Sequence, residues 1–179
     1  MSAARHDRGG MTVRPILRWP DPLLRTPAAA VTTFDADLRA LADDLLETMR
    51  AAPGVGITAP HVGVLARLVV LELPDDPLGV RVYVNPRVVW AADEQGRHEE
   101  GSVSLPGVTA EVTRPLSVRI AYQDLAGTAH TQAADGFLAV CLQHEIDQLD
   151  GIFWTQRLSR LKRDQVMRRF DKLARQGQA

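Results

Sequence analysis

The chain has 179 residues, 45% of them apolar, and its 21 basic and 22 acidic residues nearly cancel to a net charge of -1. That length and apolar fraction suit one globular domain with a substantial core, and the balanced charge gives no ground for expecting specific DNA binding. The single cysteine, Cys141, cannot form an internal disulfide, which fits a reducing cytosol, and no apolar run reaches transmembrane length.

Residues 1–12 are small, polar and charged, without the apolar core of a secretion signal; they are expected to be a disordered leader, and residues 13–179 a single domain. From Val13 to Val31 the chain is punctuated by prolines and is expected to wrap the surface as extended segments and turns, held by Ile16, Leu17 and Leu23. Leu38, Leu41, Leu45, Leu46 and Met49 then recur at three- and four-residue spacing, predicting a helix over about 35–50 with Thr33 or Asp35 as its cap. The next stretch, GVGITAPHVGV (54–64), is a glycine-punctuated loop in which backbone can approach a ligand closely. It also satisfies a loose dinucleotide-binding pattern, but it follows a helix rather than a strand and runs into Pro60, so that reading is set aside.

Strands are predicted at 67–73, 80–86 and 87–90, where branched residues cluster between Pro74, Pro77, Gly79 and Pro86. AADEQGRHEEG (91–101) reads as a polar hairpin or loop, followed by strands at 109–113, 116–124 and 128–133. Short neighbouring strands imply antiparallel sheet. The apolar stretch FLAVCLQHEIDQLD (137–150), opened by Asp135-Gly136, predicts the central helix, and Leu161, Val166, Phe170 and Leu173 mark a last one over about 159–175. The class is therefore α+β, with antiparallel sheets packed around one buried helix, one helix before it and one C-terminal helix after it.

The chemistry concentrates on that central helix. His144 and Gln148 are four residues apart and share a helical face, with Glu145 about a quarter-turn round. Zinc hydrolases with an H-E-x-x-H helix hold a metal on two such imidazoles and set the glutamate beside the metal-bound water. Here the second imidazole is replaced by a glutamine, giving HExxQ.

Three segments, GVGITAPH, EEGSVSLPG and QHEIDQLDG, in this order and between two amphipathic helices, resemble the peptide deformylase family over roughly Val13 to Arg175. The resemblance implies the deformylase fold and the family's reaction in protein biosynthesis. That reaction is hydrolytic removal of the N-formyl group from the N-terminal formyl-methionine of new bacterial proteins, with a zinc or ferrous ion.

Carried over by position, Ser102 stands where the family has a metal-binding cysteine, His144 matches the first ligand histidine, and Gln148 stands at the second. Glu145 matches the general acid/base. His61 takes the place of the glutamine that binds the oxyanion together with a main-chain N–H, here that of Val103. Gly56, His61 and Val103 are thus the expected substrate-binding positions, and Glu145 and His61 the expected catalytic ones.

A serine hydroxyl and a carboxamide are neutral, weak donors beside a thiolate and an imidazole, so any zinc or iron is expected to be weakly held and deformylation impaired or altered. Three readings follow from the residues. The chain acts as an altered hydrolase of a formamide or other small amide; or it is a non-catalytic binder of N-formylated or N-acylated peptides; or it is a repurposed amide hydrolase of specialised metabolism using His61 and Glu145. The substitutions also allow a rebuilt nitrogen and oxygen metal site on His61 and His144, or His61 acting as a base that activates Ser102. Cys141 is expected to be a buried core thiol. Eight basic residues between Arg157 and Arg175, against Asp164 and Asp171, suit either a solvated helix face or a contact with the ribosome.

Overall fold

The computed structural model describes residues 12–178. All but the last residue of the expected leader lies outside them; Thr12 itself donates its main-chain N–H to Asp44 at 2.8 Å. Three helices, α1 (Ala36–Ala51), α2 (Gly136–Leu149) and α3 (Arg160–Arg175), accompany seven strands. The strands are β1 (Gly56–Thr58), β2 (Leu68–Glu72), β3 (Val80–Ala91), β4 (Gln95–Ser102), β5 (Leu105–Pro115), β6 (Ser117–Gln123) and β7 (Ala129–Asp135).

Five strands form one antiparallel sheet in the order β1-β2-β3-β6-β7, and β4 and β5 form a separate two-stranded ribbon. The buried helix α2 packs against strands of both, as the α+β reading requires. Its residues Ala139, Leu142, Ile146 and Leu149 join Val69, Leu71, Val118 and Ile120 in one core. On the other side of the sheet, Leu38, Ala42, Leu45 and Met49 of α1 pack on Ile57, Leu68 and Val70. Asp35 caps α1 by accepting from the Leu38 N–H at 3.1 Å. A third cluster joins Val166 of α3 to Leu105, Val108 and Val112 of β5 and to Phe153 and Trp154.

Two sequence expectations change. The segment read as a polar hairpin or loop contains strand β4, whose residues are all polar or glycine, so it lacks the apolar alternation that marks a half-buried strand. The two strands expected either side of Pro86 are one strand, β3, which takes up the proline at an irregularity in its pairing with β6 between Val84 and Arg87. Beside it, Asn85 adopts a positive φ of 52°, and its side chain donates to the Val31 carbonyl at 2.9 Å while its oxygen accepts from the Val31 N–H at 2.8 Å.

The proline-rich opening laces the functional elements together. Leu17 N–H donates to the His61 carbonyl at 2.8 Å, Trp19 N–H to the Ser104 carbonyl at 2.9 Å, and Ala28 N–H to the Leu149 carbonyl at 2.8 Å. One extended stretch therefore ties the loop after β1, the turn between β4 and β5, and the end of α2. Within it, Pro22–Arg25 forms a short 3-10 turn.

On α3, Arg160, Lys162, Arg168, Arg169, Lys172 and Arg175 face solvent. The other two basic residues of that run are structural: Arg157 pairs with Asp147, and Arg163 Nε donates to the Thr155 carbonyl at 3.0 Å. No helix among the described residues is long and apolar enough to cross a membrane.

Candidate functional site

A cavity of about 510 Å³ opens between the loop at 52–56, the β4–β5 turn and the first turns of α2. His61, Ser102, Val103, Cys141, His144, Glu145, Gly54 and Gly56 all line it. The sequence-predicted site residues thus converge on one space, with one exception. Gln148 is not among the lining residues; its side-chain N–H₂ donates to the Leu24 carbonyl at 2.8 Å and the residue is buried. Helical spacing correctly places Gln148 on the face of His144, but the opening segment engages its amide there.

His61 sits in a 3-10 turn (Ala59–Val62) directly after β1. The Thr58 main-chain N–H donates to His61 Nδ1 at 3.0 Å, and the Thr58 hydroxyl lies 2.9 Å from the same nitrogen. A main-chain N–H can only donate, so Nδ1 is the acceptor and the proton of the neutral ring resides on Nε2. Burial, and next the charge of His144, pull the imidazole down to about 3, so it stays neutral through the physiological range. His61 is therefore a fixed hydrogen-bond donor. A metal ligand or general base needs an unprotonated nitrogen facing the cavity, so neither the rebuilt metal site on His61 nor its use as a base for Ser102 agrees with this geometry.

His144 is oriented from the opposite direction. Its Nδ1 lies 2.8 Å from Glu100 Oε2, and Glu100 is itself forked by Arg114 Nε and Nη2 at 2.5 and 2.9 Å. Arg114 also donates to Asp147 at 2.9 Å, and Asp147 is held by Arg157. Burial opposes ionisation of Glu100, but the Arg114 and His144 hydrogen bonds outweigh it and hold the carboxyl at about 2. A carboxylate accepts only, so Nδ1–H of His144 donates, and in the neutral ring Nε2 is the acceptor. Burial would lower the His144 pKa, yet the Glu100 hydrogen bond and the charge of Glu145 raise it above its ordinary value. Sequence reasoning quoted Glu100 and Asp147 inside the motifs without giving them a role and missed Arg114, which is distant in sequence and becomes their neighbour only through the β4–β5 ribbon.

Glu145 is buried, and burial pushes its carboxyl up to about 7, only partly offset by the charge of His144. It lies against Gly56, where a Cβ would stand 2.5 Å from Glu145 Oε1 and 2.7 Å from a Leu71 methyl. Gly56 is thus needed for the close approach of β1 to the carboxylate. Among the described residues, His61 Nε2 and Glu145 Oε2 are both buried without a hydrogen-bond partner. A buried donor and a buried acceptor on two residues that line one cavity can be satisfied by a ligand amide, which presents a carbonyl and an N–H.

The donor set does not suit the metal that the resemblance implies. Ser102 Oγ accepts from the Ser104 N–H at 3.1 Å, Gln148 is engaged elsewhere, and His61 presents a protonated nitrogen. Of the three positions that the resemblance assigns to the metal, only His144 offers a strong donor atom, and among the described residues no group of three or more His, Cys, Asp or Glu side chains could hold a metal ion. Cys141 lines the cavity from α2, but burial pushes its thiol up to about 12, away from the thiolate a metal requires.

Comparison with known proteins agrees with the fold and the segment order. The family model described as polypeptide deformylase matches residues 13–164. A protein of Brucella suis biovar 1 described as peptide deformylase-like is 62% identical over 165 residues, covering 92% of this chain and all of that protein. A second protein of the same organism, described as peptide deformylase, is 42% identical over 168 residues, covering 93% of this chain and 96% of that one. The crystal structure of a peptide deformylase from Legionella pneumophila, 39% identical, superposes with a TM-score of 0.87 over 93% of this chain and 98% of that one. By sequence and by fold alike, the chain belongs to the polypeptide deformylase family.

Proposed function

We propose that this protein recognises the N-acylated amino terminus of a peptide, formyl being the smallest such acyl group, and has lost the metal-dependent deformylation of its family. The reading rests above all on His61, a buried, neutral donor on a residue that lines the cavity, together with the unpartnered carboxylate oxygen of Glu145, which lines the same cavity. A ligand carbonyl accepts from His61 Nε2–H while the amide N–H donates to Glu145, so both orphaned atoms are satisfied by one amide group. Leu105, Val108, Phe137 and Val140 supply apolar lining for the side chain that follows the acyl group.

The Brucella suis pair supports a division of labour. One organism holds both a protein described as a peptide deformylase and one described as deformylase-like, and this chain is more similar to the latter. Its place would then be beside the housekeeping enzyme in the cytosol.

The test is a calorimetric titration of formyl-methionyl peptide and of the same peptide without the formyl group, alongside formate release with added zinc, ferrous, cobalt or nickel ion. Binding confined to the formylated peptide, with no metal-stimulated formate, supports the proposal. Metal-stimulated turnover, or equal binding of both peptides, contradicts it.

A further inference from the structure

We infer that Ser102, His144 and Glu100 form a nucleophile, base and orienting carboxylate, giving the cleft a metal-independent acyl-transfer chemistry. The inference rests on reading the cleft as an acyl-amide site and goes beyond it. His144 Nδ1–H donates to a buried carboxylate at 2.8 Å, which in the neutral ring fixes the tautomer and leaves Nε2 as the proton acceptor of a residue lining the cavity. The carboxylate is held by Arg114 on both oxygens and cannot swing away. Ser102 lies two residues beyond Glu100 and lines the same cavity.

The Ser104 N–H donates to Ser102 Oγ at 3.1 Å, so the serine oxygen is held through a lone pair and its own proton is free to be given up. Among the described residues Ser102 Oγ and His144 Nε2 are not hydrogen-bonded to each other, and such nucleophile–base contacts commonly tighten only with substrate in place. His61 Nε2–H supplies the donor for the developing oxyanion, and its fixed tautomer keeps it from competing as the base.

In the step itself, Ser102 Oγ bonds to the acyl carbon as its proton passes to His144 Nε2. The C–N bond then breaks, with that proton delivered to the departing amine, leaving an acyl ester on Ser102. Water adds to the ester, again giving a proton to Nε2, and the C–Oγ bond breaks with that proton returned to Oγ. A carboxylic acid and an amine result, with no oxidant, reductant or metal in the balance.

The experiment uses the full chain in a chelator, treated with p-nitrophenyl acetate and separately with a fluorophosphonate, and reads the intact mass and the modified peptide. One adduct on Ser102, absent in Ser102→Ala and slowed by about 100-fold or more in His144→Ala, is the expected result. The absence of an adduct on Ser102 with both probes in folded protein, or an undiminished rate in His144→Ala, overturns the inference. Titration of Ser102→Ala with formyl-methionyl peptide separates the two proposals. Binding retained without any adduct in the wild type leaves the acyl-amide site standing and removes only the nucleophile; failure of the wild type to bind removes both.

Discussion

Thr58 donates its main-chain N–H to Nδ1 of His61 at 3.0 Å, and that one bond decides what His61 can do in the cleft. It sets the proton on Nε2, which, like the Glu145 Oε2, is buried without a partner on a residue that lines the cavity. His61→Leu therefore lowers the affinity for formyl-methionyl peptide by about 5- to 10-fold, the worth of one buried hydrogen bond, while His61→Gln, which keeps a donor, loses less. Calorimetry on the two variants checks the order.

Affinity should also depend on pH with one sign. The Glu145 carboxyl, at about 7, accepts the ligand N–H only when ionised, and His61, at about 3, stays neutral throughout. Binding strengthens as pH rises from 6 to 8. In Glu145→Gln the rise disappears, which titrations across that interval read directly.

The same carboxyl sets a stability dependence. Its folded value of about 7 lies above the 4.5 of the unfolded chain, so its stabilisation is complete below 4.5 and is lost as pH rises through 7, on the order of 3 kcal/mol. Glu145→Gln thus gains in melting temperature relative to the wild type above pH 7 and not below pH 4.5. Thermal denaturation at both ends of the range checks the sign.

Arg114 neutralises Glu100 and donates to Asp147 in a buried setting. Arg114→Met leaves the Glu100 carboxylate buried without its guanidinium and costs about 3–5 kcal/mol. Removing the exposed Arg97–Glu111 pair by Arg97→Ala costs under about 1 kcal/mol. Denaturant unfolding of both variants gives the comparison.

Gly56→Ala forces the new methyl group against Glu145 Oε1 and Leu71. Destabilisation of about 1–3 kcal/mol is expected, with ligand affinity falling because the carboxylate must move. An unchanged titration would show that Glu145 is not placed by this glycine.

The sequence carried the three helices and the cavity-lining residues because both are written in local spacing. The helical repeats stand out as periodic apolar residues, and His61, Ser102 and His144 sit in contiguous segments whose order is itself the signal. What it concealed was non-local. Strand β4 is polar throughout, so no apolar alternation betrayed it, and with it went the ribbon that brings Arg114 to Glu100. Gln148 was legible in position but not in allegiance, since its partner Leu24 lies far along the chain in the proline-rich opening. The tautomer of His61 depends on a contact only three residues away, yet periodicity says nothing of which ring nitrogen carries the proton.

The central claim is that the cleft holds an acylated amine terminus through His61 and Glu145 without the family's metal. Metal content of freshly purified protein, together with peptide titrations before and after chelation, tests it most directly. The account predicts substoichiometric metal and an affinity for formyl-methionyl peptide that chelation leaves unchanged. A full equivalent of zinc or iron, with binding and formate release both abolished on chelation, would contradict it.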